Sequence, residues 1–260
     1  YPIDVAVSEW DCTLESSSLN TTQRQFGIRM GLRYVKDLSR DRDWPLITAA
    51  RTERPFTTMT DFARRTGLDD RRLRRLAEVG AFSAFQADRR SALWQMQGVG
   101  TSRDMSLPMS AEDGAPVFRS LSNFQTINWD YQFSGHSTHG HPLEPLREML
   151  MAQGLPNAER VLQMRDGQRV KFAGIVICRQ RPSTASGVTF MTLEDESGFL
   201  NVVICKQVFE DHVVLVKTAS FLGVSGKLQI ESQVAHLVAE QFWVPELTVH
   251  PESGGSRDFH

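Results

Sequence analysis

The side chains of this chain best suited to chemistry are its arginines. In "GLDDRRLRRLAEVGAF" Arg71, Arg72, Arg74 and Arg75 crowd together, and Arg64 and Arg65 precede them in "TMTDFARRTG". A guanidinium group is permanently charged and presents a planar fork of donors that matches phosphate or carboxylate oxygens. Residues 29–90 hold 15 Lys or Arg against 9 Asp or Glu, although the 260-residue chain has a formal net charge of −2. Positive charge is therefore concentrated in one segment, and the remainder is acidic. A basic segment is an electrostatic footprint for nucleic acid, whereas an acidic remainder favours protein contact. Leu68, Leu73, Leu76, Val79 and Phe82 recur at helical spacing through the arginine run, so the plain alternative is a solvated face on a core helix. Having two consecutive arginine-bearing units favours binding.

Other chemistries find little support. His136, His139 and His141 stand close together in "HSTHGH", but no acidic or cysteine partner lies at ligand spacing, and His141-Pro142 followed by Glu144 reads as the start of a helix. Cys12, Cys178 and Cys205 are far apart, which excludes a disulfide framework or a CxxC knuckle and predicts buried, reduced thiols. No apolar run approaches the roughly 20 residues that span a bilayer, and "YPIDVAVSEW" lacks the character of a signal peptide, so a cytoplasmic protein is expected. The first residue is Tyr1, not methionine, and the chain reads as a piece of something longer.

These residues need elements to position them. Residues 1–20 predict one or two short strands, and from Phe26 to about Gln97 short helical patterns follow one another, broken at Pro45, Pro55, Gly67 and Gly80. Thr60 and Asp70 are expected N-caps. Short helices in pairs joined by tight turns are the pattern of helix-hairpin-helix modules. Residues 98–120 are rich in Gly, Ser and Pro and read as a linker, and "PLEPLREMLMAQG" gives a further helix with Leu146, Met149 and Leu150 on one face.

From Gly167 to about Leu247 the pattern turns to strands: "QRVKFAGIVICRQR", "GVTFMTLEDE", "GFLNVVIC", then a short helix in "KQVFEDHVVLV", then "SFLGVSGKLQI" and "VAHLVAEQF". Five strands with a helix between the third and fourth is the order of the OB-fold barrel, whose ligands cross strands two and three beside the loop joining strands one and two. Arg179 and Arg181 fall at that loop, ahead of Pro182. The tail "HPESGGSRDFH" is expected to be mobile or docked only by its end. The predicted class is α+β.

"YPIDVAVSEWDCTLE", "GLRYVKDL", "PFTTMTDFARRTGL", "LAEVGAFSAF", "GHPLEPLREML", "VKFAGIVICRQRPSTASGVTFMTLEDESGFLNVVI", "QVAHLVAE" and the ending "SRDFH" resemble, in order, the C-terminal part of the error-prone bacterial C-family DNA polymerases, relatives of the replicative polymerase III alpha subunit. The resemblance covers nearly the whole chain. It implies the end of a fingers region over 1–28, a tandem helix-hairpin-helix segment over 29–97, a linker and helical connector over 98–166, an OB-fold over 167–247 and a tail over 248–260. It also implies translesion, damage-induced (SOS) synthesis by the longer protein with Mg2+ and dNTPs, using palm carboxylates that precede Tyr1. Asp41-Arg42-Asp43 reads as a hairpin turn and Glu194-Asp195-Glu196 as a strand turn, so no catalytic group and no cofactor is expected in this segment.

The implied partners are primer-template duplex and single-stranded template, a Y-family-like accessory protein, a RecA-like accessory protein and, indirectly, the sliding clamp, with no membrane. In the helix-hairpin-helix segment Lys36, Arg64, Arg65, Arg71, Arg72, Arg74 and Arg75 are the implied phosphate contacts. Family members read Lys-Gly-Leu where this chain has Lys36-Asp37-Leu38, and a carboxylate there repels phosphate, which shifts weight to the arginines of the second unit. In the OB domain Lys171, Arg179, Arg181, Lys206 and Lys227 are implied phosphate contacts. Phe190 and Phe199 could stack bases, but strand alternation equally allows them to face the barrel core. An anticodon-type OB domain shares the strand pattern but leaves the helical half unexplained.

Overall fold

A computed structural model of the chain describes residues 1–17, 25–85, 88–101, 118–182, 187–231 and 234–259. Two compact units result, residues 1–138 and 139–260.

The first unit opens with a two-stranded antiparallel hairpin, β1 (Thr13–Ser17) and β2 (Gln25–Arg29), in which Leu14 faces Ile28. The helical pattern expected from Phe26 therefore begins late: Phe26–Arg29 satisfies its backbone by pairing with β1, and the first helical turn is a short 3-10 piece, Leu32–Tyr34. Then come α1 (Asp43–Glu53), α2 (Met59–Thr66), α3 (Asp70–Glu78), α4 (Arg89–Thr101) and α5 (Asn123–Ser134). Each N-cap lies ahead of its expected position. The Thr58 hydroxyl accepts the Asp61 N–H at 3.0 Å, and the Asp69 carboxylate accepts the Arg72 N–H at 3.0 Å. Thr58 and Asp69 hold the extended backbone a cap requires, so Thr60 and Asp70 fall inside the helices. Gly67 ends α2 in the left-handed conformation at φ 62°, and its N–H reaches Ala63 O. Leu32, Ile47, Phe62, Leu68, Leu73, Leu76 and Phe82 are fully enclosed and form the core, with Phe62 edge-on to both Phe56 and Phe82.

The second unit begins with α6 (Arg147–Ala152) and α7 (Ala158–Leu162), followed by β3 (Arg169–Gln180), β4 (Thr189–Asp195), β5 (Gly198–Ile204), α8 (Lys206–Asp211), α9 (Val213–Thr218), β6 (Phe221–Glu231) and β7 (Val234–Trp243). The strands close into a barrel in the order β3, β4, β5, β7, β6 and back to β3, with β5 and β7 parallel and the other pairs antiparallel. This is the five-stranded OB topology, with its helical insertion between the third and fourth strands. Alternation fills the interior with Val170, Phe172, Met191, Leu193, Leu200, Val202, Leu228 and Leu237. An extra residue in β7, Glu240, opposite Ser225 and Gly226, forms a bulge that bends β7. The tail docks by its end, where β8 (Arg257–Phe259) runs parallel to Cys178–Gln180.

All three cysteines are free, but the expectation that they are buried fails. Cys12 lies exposed in the loop before β1, Cys205 is exposed at the start of α8, and Cys178 is half-buried on the outward side of β3. Among the described residues no helix is long and apolar enough to cross a membrane.

Candidate nucleic-acid interface

In the helix-hairpin-helix unit the predicted arginines divide into two kinds. Arg65 and Arg72 are structural clamps. The Arg65 guanidinium, 8% exposed, spans Asp61 at 3.2 Å and the carbonyls of Arg54 at 2.8 Å and Ala50, and lies over the Phe56 ring with 4.9 Å to its centroid. Arg72, 14% exposed, reaches Asp43 Oδ2 at 2.9 Å and also pairs with Asp69. Asp43 is nearly inaccessible and also accepts the Ser39 N–H at 2.8 Å, so Arg72 serves the base of α1 more than any ligand. These placements withdraw both guanidinium groups from the surface where a phosphate contact was expected of them.

Arg64, Arg71 and Arg74 project outward, 76%, 71% and 63% exposed. Arg71 and Arg75 both bind Asp37, at 2.7 and 2.8 Å, while Arg74 and Arg75 share the buried Glu78 at 3.0 and 2.7 Å. Together Arg71, Arg74 and Arg75 line a groove of about 610 Å³ whose other wall includes Leu93 and Met96. The Asp37 carboxyl is held below its ordinary value by the hydrogen bonds from Arg75 and Arg71, so it is charged at neutral pH. Lys36 turns its ammonium to Gln132 O at 2.9 Å.

Sequence reasoning missed the acidic half of this surface. Asp61, buried in α2, collects Arg54 at 2.7 Å, Arg65 at 3.2 Å and the Thr57 N–H at 3.3 Å. Burial opposes its charge, but these hydrogen bonds and the Arg54 charge prevail and hold its pKa at about 2. Its position three residues after Thr58 was the available signal, since Ser/Thr-x-x-acid marks a helix start.

On the barrel the predicted residues do not converge on one face. Arg179 turns inward: its Nε donates to Val216 O at 2.7 Å, its Nη2 to Ala219 O, and its Nη1 to Ser256 and Asp258. It caps the carboxyl end of α9 and ties down the tail, which removes it from the loop surface expected of it. Arg181 does lie at that surface, its guanidinium 4.3 Å from the Phe209 ring centroid, with Lys217 Nζ at 5.9 Å from the same ring. Lys217 was missed because it sits on α9, far away in sequence. Lys206 opens α8 and lies 3.9 Å from Glu210. Lys171 and Lys227 sit on β3 and β6, next to Arg169, which pairs with Lys227 across the strands and with Glu240 at 3.2 Å. Ser183, Thr184 and Ser186 of the loop between β3 and β4 lie outside the described residues.

Phe190 and Phe199 face outward, 40% and 59% exposed, with Met191 and Leu200 taking the inward positions. Of the two placements alternation allowed, the solvent side is the one found. The outward positions of β4, β5 and β7 are Phe190, Thr192, Glu194, Phe199, Asn201, Val203, Val234, His236, Val238 and Glu240, with Thr192 bonded to Asn201 at 3.1 Å. That face carries no Lys or Arg.

The remaining candidates serve the scaffold. His136 packs edge-on to Tyr34 at 4.5 Å between ring centroids, and His141 Nδ1 accepts the Leu143 N–H at 3.1 Å; burial lowers the pKa of both. Among the described residues no group of three His, Cys, Asp or Glu is arranged to hold a metal ion. Asp43 is bound by Arg72, and Asp195 and Glu196 by Arg147, so these three carboxylates are engaged by arginine.

Comparison with known proteins agrees with this division. Residues 1–92 match the helix-hairpin-helix motif family, and residues 170–245 match the OB-fold nucleic acid binding domain family. The chain is 36% identical over 242 residues to an error-prone DNA polymerase of Pseudomonas syringae pv. tomato, covering 93% of this chain and 23% of that enzyme. It is 37% identical over 262 residues to an error-prone DNA polymerase of Caulobacter vibrioides, covering 93% of this chain and 24% of the relative. Among solved structures, asparaginyl-tRNA synthetase from Pyrococcus horikoshii aligns with a TM-score of 0.31 at 22% identity, over 35% of this chain and 22% of that one. The chain thus spans about a quarter of the length of the curated relatives it matches. With nearly all of its residues aligned to theirs, and with a helix-hairpin-helix and an OB domain in this order, the chain resembles the C-terminal region of the error-prone DNA polymerases.

Proposed function

We propose that this segment is the non-catalytic, C-terminal DNA-positioning part of an error-prone, translesion polymerase, gripping primer-template duplex through the helix-hairpin-helix unit and template strand through the barrel. The observation that carries the reading is the outward projection of Arg64, Arg71 and Arg74 from α2 and α3, alongside Arg65 and Arg72, which are withdrawn into the fold. Arginines of this kind position a duplex through its phosphates without reading its sequence. On the barrel, Arg181 and Lys217 flanking Phe209 offer the strand a charged edge. Polymerisation itself, with Mg2+ and dNTPs, is assigned to the longer protein, which we place in the cytoplasm as part of a damage response.

Fluorescence anisotropy with labelled primer-template and single-stranded DNA tests this. Binding that weakens steeply with salt, and weakens further when Arg64, Arg71 and Arg74 are changed to Ala, is the expected result. No binding at low salt defeats the reading for this segment.

A second reading is favoured by the β4–β5–β7 face. Exposed Phe190, Phe199 and Val234 beside Glu194 and Glu240, with no basic residue at the outward positions of these strands and Arg169 only at the Glu240 edge, suit a protein partner better than a phosphate backbone. We assign that face to recruitment of accessory proteins, the Y-family-like and RecA-like partners implied by the resemblance, with the sliding clamp reached through them. Binding there is expected to change little with salt.

A further inference from the structure

Asp37 is, among the described residues, the one non-glycine residue with a left-handed backbone, at φ 69°. Aspartate in that conformation carries a backbone penalty that glycine avoids. Here it is offset by two charge-assisted hydrogen bonds, Arg71 Nη2 to one carboxylate oxygen at 2.7 Å and Arg75 Nε to the other at 2.8 Å. Arg71 and Arg75 stand one turn apart on α3, so two guanidinium groups converge on one oxyanion, each taking its own oxygen. A phosphate presents the same pair of acceptors.

The arrangement is open to exchange. Arg71 is largely exposed and Asp37 itself is about one-quarter exposed, at 26%, so an incoming anion reaches both. Arg75 does not depend on Asp37 for its position, because its Nη1 also donates to Glu78 Oε2 at 2.7 Å and Glu78 is buried. Were Asp37 to withdraw, Glu78 would still hold Arg75 in place, and Arg71 one turn away would lose the carboxylate that answers its charge.

We propose that Arg71 and Arg75 form a two-guanidinium oxyanion site that the Asp37 carboxylate fills in the free chain, and that a backbone phosphate of DNA takes its place on binding. Asp37 is then an internal competitor that sets the affinity and salt dependence of the complex. The identity of the anion as DNA rests on the DNA-positioning reading above; the site itself does not. In the exchange the released carboxylate regains its own cations, so fewer ions are freed than when phosphate meets unpaired arginines.

The test uses the whole chain with Asp37→Gly and Asp37→Asn, since glycine is at ease at this φ. Two measurements run in parallel: anisotropy with primer-template DNA over a salt series, and NMR of the Arg75 Nε–H during titration with inorganic phosphate. The expected result is DNA binding tighter by a factor of about five to ten in both variants, as for the removal of two competing ion pairs. The slope of log affinity against log salt steepens by about one, and phosphate moves the Arg75 resonance at lower concentration than in the parent chain. Unchanged or weaker DNA binding in the variants, with the same phosphate titration, overturns the proposal and leaves Asp37 as a positioning residue for the arginines. If no chain binds DNA but phosphate titrates Arg75 more readily in the variants, the oxyanion site stands and the DNA reading falls.

Discussion

Arg147, at the start of α6, and Asp195, at the end of β4, meet at 3.1 Å, and the pair fastens the helical connector to the barrel. The Asp195 carboxylate is fully enclosed, and it also accepts the N–H groups of Ala158 at 2.8 Å and Ser197 at 2.9 Å. Arg147 completes its own set on Glu196 at 2.6 and 2.8 Å. Removing one member leaves a buried charge without its partner, which costs on the order of 3 kcal/mol. Arg147→Met is therefore expected to lower the stability of the second unit by about that amount, read as a fall in the urea midpoint by circular dichroism. A shift under 0.5 M would show that the pair is incidental.

Asp61 makes the first unit acid-sensitive. Its pKa of about 2 in the folded chain lies below the ordinary 3.8, so its contribution is complete above pH 4 and is lost as pH falls toward 2. Thermal melts between pH 6 and pH 2 should show this loss, and Asp61→Asn should flatten the pH dependence over the lower part of that range while lowering stability at pH 6. An Asp61→Asn variant with the parent's pH profile would reject the assignment.

Why the barrel was legible in the sequence and the arginine surface was not follows from range. Alternation in "GVTFMTLEDE" and "GFLNVVIC" is a local property, and Met191, Leu193, Leu200 and Val202 point inward as that alternation requires. Alternation cannot say which set is inward when both hold large apolar side chains, and so Phe190 and Phe199 were ambiguous. The fates of Arg72, Arg75 and Arg179 depend on Asp43, Asp37 and Asp258, which lie 29, 38 and 79 positions away. A run of arginines reads the same whether its donors face water or a carboxylate. The cap positions were missed by one or two residues because Thr58 and Thr60, like Asp69 and Asp70, offer the same chemistry, and only the backbone conformation separates them.

The two kinds of phenylalanine on the barrel should respond oppositely to truncation. Phe172 is fully enclosed on β3, and its change to Ala is expected to cost about 4 kcal/mol through lost burial and a cavity. Phe199 stands 59% exposed on β5, so Phe199→Ala should change stability by no more than about 0.5 kcal/mol. Denaturant titration of both variants decides the matter; a large loss at Phe199 would mean that the outward face supports the fold instead of presenting a docking surface.

Arg72 and Arg74 stand two positions apart on α3 and should separate stability from binding. Arg72 neutralises Asp43, whose carboxylate is almost wholly withdrawn from water at the base of α1, whereas Arg74 reaches out 63% exposed from a pair with Glu78. Arg72→Ala leaves the buried carboxylate with only the exposed Arg42, at 3.4 Å, and the Ser39 N–H, and should destabilise the first unit by roughly 2–3 kcal/mol. If it still folds, its DNA affinity should fall only as far as its folded fraction does. Arg74→Ala removes an exposed cation and should cost under about 1 kcal/mol of stability. It should still weaken DNA binding and reduce the salt slope by about one, because one phosphate contact is lost. Denaturation and anisotropy on the same two variants check both halves, and an Arg74→Ala variant that binds DNA with the parent's affinity and slope would remove Arg74 from the proposed interface.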